Sequence, residues 1–382
     1  MPTNLANNSD LTKALLRIEE HLVVDPGNRD LLASAIDKYL AIGQIENAKR
    51  HADVAISRFP DDRYFQNRLG NVMLAQGNLP RAEEIFEQLL DNAPDDNIRF
   101  NLAYTYYLQG RYTQASELLL PIVEQAQRPV GAVTLLLRVL HQQGDVKSAI
   151  DLVERNMPLC GADTDFLAVA SLLYFDDGQI EKARQTSTAA QSDGTHLLEA
   201  LVVGASLSLG EGDVAAAATQ FAEAVAISPR DGRSWAGMGM VSMVKQDLTG
   251  AARQLERAIG YMPSHIGTRH LLGWCKIFSH DLAAADQVFL QALSLDRNFG
   301  ESHGGLAVVA AIRGDRLRAE ECIKRAVGLD PKSLSARYAS MVLSGDIKDL
   351  VKLREIATKA LAMRSNPFVK SLAQVAGKLT PK

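Results

Sequence analysis

Alanine recurs along this chain on an almost constant clock of 34 residues: Ala14, Ala48, Ala82, Ala115, Ala149, Ala183, Ala217, Ala251, Ala285 and Ala319. Only the step from Ala82 to Ala115 is one residue short. A period of this length implies a solenoid, in which each unit buries its apolar face against its neighbours. Such an array grows along one axis, so 382 residues need not divide into closed globular domains. A repeat array usually offers a surface and seldom a catalytic pocket, which directs the reading toward binding.

The unit spanning residues 63–95 shows how the period is built. Leu69, Gly70 and Met73 form one apolar or small stripe, and Ala82, Phe86 and Leu89 form a second. Spacings of three and four residues mark one face of an amphipathic helix in each half. Gly77 divides the halves, and glycine there can adopt the left-handed conformation that ends a helix. Pro94 follows the second stripe, where a helix must have stopped. Each unit therefore reads as helix A, tight turn, helix B, turn. Glycine recurs at the middle turn in Gly43, Gly110, Gly144, Gly178, Gly212 and Gly314. Asp145, Asp213 and Asp315 follow their glycines as helix N-caps. The clock alanine opens the stripe of helix B, where a small side chain lets helix B approach helix A.

These residues resemble the tetratricopeptide repeat family. Its pattern has a bulky residue at unit position 4, small ones at 8 and 20, large apolars at 11 and 24, alanine at 27 and proline at 32. Trp235, Gly239, Ala251, Leu255, Ala258 and Pro263 stand in those places in unit 232–265, and Ala307, Ala319, Ala326 and Pro331 do so in unit 300–333. The resemblance covers about residues 11–333 and implies an all-α, right-handed superhelical solenoid. The expected organisation is an N-terminal capping half-repeat over 1–28, nine tandem units over 29–333, and a degenerate repeat with C-terminal capping helices over 334–382. Two irregularities are expected. Pro121 should kink or end helix B of the third unit, and the polar turn at 192–196 is a candidate hinge.

In the resembled family, helix A positions 2, 5, 6, 9, 12 and 13 line the concave face. Reading them here gives two zones. The polar zone holds Tyr64, Asn67, Arg68, Asn71, Asn97, Asn101, Tyr104, Arg138 and His141, with Phe100 among them. Asparagine amides both donate and accept, so a file of them can bond an extended peptide backbone without demanding its sequence. The apolar zone holds Met240, Met243, Trp274, Ile277, Phe278, Val308 and Ile312. Three occupants account for it: a partner helix, the chain's own final helix with Phe368, Leu372 and Val375, or a second copy. A clamp for a chaperone's terminal carboxylate fits poorly, since the places that should be basic are Asn67, Gly131 and Leu135.

Other chemistry finds little support. Net charge is -4 with no basic block, which argues against nucleic acid. Cys160, Cys275 and Cys322 are scattered and suggest neither a disulfide framework nor a zinc knuckle. His265, His270 and His280 with Cys275 stand five residues apart, off any shared helical face, so no metal is expected. Gly237-Met238-Gly239 follows no strand, and Asp95-Asp96 and Asp176-Asp177 read as turn caps. No cofactor is expected. No apolar run reaches membrane-spanning length and the start lacks a signal-peptide core, so the expected location is cytoplasmic.

The sequence thus predicts a non-enzymatic scaffold or adaptor holding a protein or peptide partner in its groove. A second reading is an accessory subunit of a bacterial secretion, pilus or polysaccharide export assembly, bound through its outer surface. A third is a regulatory arm that controls an enzyme in trans.

Overall fold

A computed structural model describes residues 5–192 and 194–345, with side chains from residue 11 onward. The expected helices over 347–363 and 367–378, including Phe368, Lys370, Leu372, Val375 and Lys378, lie outside the described residues. Among those described there are twenty α-helices and no strand. The fold is an all-α solenoid of helix pairs. Contacts divide the chain into two compact units, parted between Leu173 and Tyr174.

The first unit opens with α1 (Leu5–Val24) and continues as α2 (Arg29–Ala41), α3 (Ile45–Arg58), α4 (Arg63–Ala75), α5 (Leu79–Asn92), α6 (Asp96–Leu108), α7 (Tyr112–Val123), α8 (Val130–Gln142) and α9 (Val146–Cys160). The division falls inside α10 (Thr164–Asp176). The second unit holds α11 (Ile180–Ala190), α12 (Leu198–Glu211), α13 (Val214–Ile227), α14 (Gly232–Val244), α15 (Leu248–Tyr261), α16 (Ile266–Phe278), α17 (Leu282–Leu295), α18 (Gly300–Ile312), α19 (Arg316–Leu329) and α20 (Leu334–Ser344). In the first unit α2, α4, α6 and α8 lie side by side, each also touching its sequence neighbours. In the second, α12, α14, α16, α18 and α20 do the same.

The clock alanines sit where paired helices meet. The nine from Ala48 to Ala319 are fully buried, whereas Ala14 on α1 is only half-buried. Glycine tightens the same contact from the facing helix. A Cβ on Gly273 of α16 would stand 2.5 Å from the Phe289 ring of α17, closer than van der Waals contact allows.

The middle turns share one hydrogen-bond pattern. After α4, the Gly77 N–H donates to Leu74 O and the Asn78 N–H to Met73 O, both at 2.9 Å. This closes the helix on a left-handed glycine. Gly43, Gly77, Gly110, Gly144, Gly178, Gly212 and Gly314 have φ between +73° and +89°. Two units place other residues there: Gln246 at φ +63° and His280 at φ +59°. Aspartate after the turn caps the next helix. Asp145, Asp213, Asp247, Asp281 and Asp315 each accept from the backbone N–H three residues on.

The joint between successive pairs has its own bond. Gln66 Nε2 donates to Pro60 O at 2.7 Å, Trp235 Nε1 donates to Pro229 O at 2.9 Å, and His303 Nε2 meets Arg297 O at 3.0 Å. In each case a side chain in the first turn of helix A satisfies a carbonyl in the linker before it. At the amino-terminal end, Glu19 of α1 accepts from Tyr39 at 2.6 Å, His51 at 2.8 Å and Arg50 at 3.0 Å. Burial alone would raise the Glu19 carboxyl, but the bonds from Tyr39 and His51 outweigh it and hold it below its ordinary value. Burial and that carboxylate together push Tyr39 up to about 12.

The irregular places have local causes. Helix α7 ends two residues beyond Pro121 and has 12 residues where α5 has 14. A second proline, Pro158, lies inside α9 two residues before its end. Between α11 and α12, Ser187 Oγ donates to Ala200 O at 2.9 Å and ties the two helices together.

Two substitutions test these contacts. Ala251→Leu should lower unfolding stability by roughly 1–3 kcal/mol through overpacking, read by urea denaturation. His280→Gly should raise stability by about 1 kcal/mol, since it removes a side chain from a left-handed backbone position. A thermal scan of the two proteins should show the glycine variant melting higher.

Candidate functional site

Six of the expected polar-zone residues converge on one recess of about 570 Å³ in the first unit, between α4 and α6. Tyr64, Asn67, Arg68 and Asn71 come from α4, and Asn97 and Asn101 from α6. They share a wall because residues three and four apart fall on one helix face. Arg63, Asp95 and Ile98 complete the lining. Asp95 is the turn cap expected from the sequence, whereas Arg63, Ile98 and Asp37 of α2 are absent from the expected site. Asp37 could have been found, because it occupies position 9 of the unit beginning at residue 29.

Asp37 organises one wall. It accepts from the Tyr64 hydroxyl at 2.8 Å and pairs with the Arg68 guanidinium, which also lies 4.4 Å from the centre of the Tyr64 ring. Burial and the Asp37 carboxylate both raise the Tyr64 phenol above its usual value. Burial works against the Arg68 charge, but Asp37 more than offsets it, so the guanidinium is held charged more firmly than usual. On the floor, Asn101 Nδ2 donates to Asn67 Oδ1 at 3.1 Å. Arg63 donates to the carbonyls of Leu89 and Ala93 at the end of α5, both at 3.0 Å. Asp95 caps α6 by accepting from the N–H groups of Asn97 and Ile98. Among the described residues, neither the Asn71 nor the Asn97 side chain bonds another group.

The remaining polar-zone residues stand outside the recess. Tyr104 lies one turn beyond Asn101 on α6, 38% exposed, its ring stacked near Tyr107 at 6.3 Å. Arg138 of α8 makes a two-pronged pair with Asp165 at 3.1 and 2.6 Å. His141 sits half-buried on α8.

The apolar zone is placed differently from the expectation. Met240, Met243, Ile277 and Val308 are core residues, with Met243 and Val308 fully buried. They are packed into clusters built from both helices of successive pairs in the second unit, which takes them out of an open surface. Trp274 is partly covered, its ring edge-on to Tyr338 of α20 at 5.6 Å and tilted against Phe278 at 5.7 Å. Ile312, 38% exposed at the end of α18, remains at the surface.

The histidines near the eighth repeat serve three separate purposes. His265 caps α16 by accepting from Thr268 N–H, and His280 occupies the left-handed turn after that helix. His270 lies between the Phe289 and Phe299 rings and shares a 2.8 Å hydrogen bond with Ser302 Oγ.

Comparison with known proteins identifies the repeat. Residues 35–97 and 204–262 match the tetratricopeptide repeat family, and residues 75–156 match anaphase-promoting complex, cyclosome, subunit 3. One of the two stretches that match the tetratricopeptide repeat family lies in each compact unit.

Among individual proteins, it is similar to the BBSome complex member BBS4 of Bos taurus, with 23% identity over 79% of this chain and 60% of that protein. The Mus musculus protein of the same name gives 22% over the same shares. The chain thus spans about three-fifths of these relatives' length. Cellulose synthase 1 operon protein C of Komagataeibacter xylinus is 27% identical over 32% of this chain and 9% of its own. A solved structure of Pseudomonas aeruginosa pilF has 20% identity and a TM-score of 0.45, covering 53% of this chain and 92% of that one. No helix among the described residues is long and apolar enough to cross a membrane.

Burial lowers the His270 pKa from about 6.5 to about 4, so the folded chain holds this imidazole neutral. Its stabilising effect is complete above pH 6.5 and is lost as pH falls toward 4, because the unfolded chain takes up the proton first. Denaturant titrations across that range should therefore show falling stability in the wild type. His270→Phe should flatten the dependence there.

Proposed function

We propose that this protein is a non-catalytic scaffold that holds a segment of a protein partner against the inner face of its first unit. The recess between α4 and α6 is the observation that carries this reading. Six polar side chains on two neighbouring helices surround one open concavity there, and two of their amides have no partner among the described residues. Asparagine is a poor helix former with no local reason to stand at these helical positions, whereas an amide can bond both the N–H and the carbonyl of an extended backbone. Tetratricopeptide repeats over this stretch support protein binding as the task. The second unit is not assigned to that segment, since its expected apolar zone is largely core.

A second reading has its own support. The BBS4 relatives are named as members of a complex, and residues 75–156 match a subunit of another. On that reading the chain is an assembly subunit whose contacts lie on the outer surface formed by helices such as α5 and α7.

Site-specific photocross-linking separates the two. A photoreactive residue at exposed Asn97 faces the recess, and one at exposed Glu117 faces outward from α7. The groove reading expects a partner to be trapped at Asn97 and lost when Asn67, Asn71 and Asn101 are replaced by alanine. Trapping at Glu117 alone, insensitive to those replacements, favours the assembly subunit and overturns the groove.

A further inference from the structure

The charges around the recess are already engaged within the fold, and this limits what the recess can select. Arg68 is paired with Asp37, and the same carboxylate accepts from Tyr64. Arg63 is anchored through one guanidinium nitrogen to the last carbonyls of α5. Asp95 is turned to the N-terminus of α6. An acidic ligand would have to compete with Asp37 for Arg68, and a basic ligand would have to compete with Arg68 for Asp37. Either exchange breaks one half-exposed, hydrogen-bonded pair in order to form another, so it yields little net attraction.

The side-chain amides that remain open are neutral. Asn71 and Asn97 offer whole amides. The Asn67–Asn101 bond uses one N–H of Asn101 and one lone pair of Asn67, leaving the Asn67 N–H groups and the Asn101 carbonyl capacity free to bond. These groups match the alternating N–H and C=O of a main chain, and they gain nothing from a formal charge.

We infer that the recess selects an uncharged, extended internal stretch of its partner, read through backbone amides, and not an acidic terminus or a charged motif. This rests on the groove reading above and narrows it to a class of ligand. Affinity for such a stretch depends on the asparagines, is independent of the Arg68–Asp37 pair, and is nearly flat in salt, because no ion pair forms across the interface.

A random dodecapeptide library, displayed between flanking linkers so that neither peptide end is free, provides the probe. The full chain is the bait, and enriched peptides are synthesised and titrated by calorimetry. Enriched sequences should be poor in Asp, Glu, Lys and Arg. Their affinity should fall about tenfold in Asn71→Ala and in Asn97→Ala, and these substitutions break no bond of the fold. It should change less than about twofold in the double variant Asp37→Asn/Arg68→Gln, and likewise between roughly 50 and 500 mM salt. Enriched acidic or basic peptides whose binding collapses in the double variant or at high salt overturn the uncharged-ligand inference while leaving the groove reading intact. Peptides that bind all variants equally, or no enrichment at all, overturn the groove reading and this inference with it.

Discussion

The close approach of paired helices at the clock alanines is the contact on which the rest of the molecule depends. With no side chain beyond Cβ, Ala82 or Ala251 lets the partner helix lie directly against the backbone, and Phe86 or Leu255 one turn on fills the space beside it. That single geometry, repeated, fixes the spacing of neighbouring pairs and leaves their A helices side by side. Since each pair buries its core only against neighbours, long-range bonds in the first unit fall near one repeat length. Asn67 meets Asn101, Arg29 meets Asp62, and Arg68 meets Asp37. A groove site here is therefore a property of two or three successive repeats, and a local one.

Much of the fold was legible because its signals are backbone constraints. Glycine at positive φ, aspartate at the following cap and proline in the linker each have few structural alternatives, so reading them gave the helix ends. Where the signal was weaker, the reading missed. Pro158 sits close enough to the end of α9 for the helix to run through it. Gln246 and His280 stand in left-handed turns without advertising it, because neighbouring repeats impose the turn.

The polar recess was legible from register alone, since positions on one helix face must share a wall. Its electrostatics were not. That Arg68 and Arg138 are neutralised by Asp37 and Asp165 depends on side chains one repeat away, at spacings of 31 and 27 residues. No pattern within a single repeat reports such a pair. Family register names the inner positions but does not say which of them are already occupied by a neighbour.

The second unit shows the same limit for apolar residues. Register places Met240, Met243, Ile277 and Val308 inward, yet these apolar side chains join the core clusters of the second unit instead of lining an open face. Gly232 and Gly239 of α14 leave room for the Met262 and Leu255 side chains, and Gly300 and Gly304 of α18 make room for Asp330 and Ser335, so neighbouring groups fill the space there. Arg233 of α14 reaches Asp176, 57 residues earlier, in a two-pronged pair at 3.0 and 2.9 Å. That span exceeds one repeat, so side chains in the second unit meet across an intervening A helix. An inner face rich in amides cannot close in this way without leaving polar groups unsatisfied, whereas one rich in methionine and valine gains by closing. Composition of the inner positions thus decides whether a stretch of this solenoid stays open as a groove or fills itself.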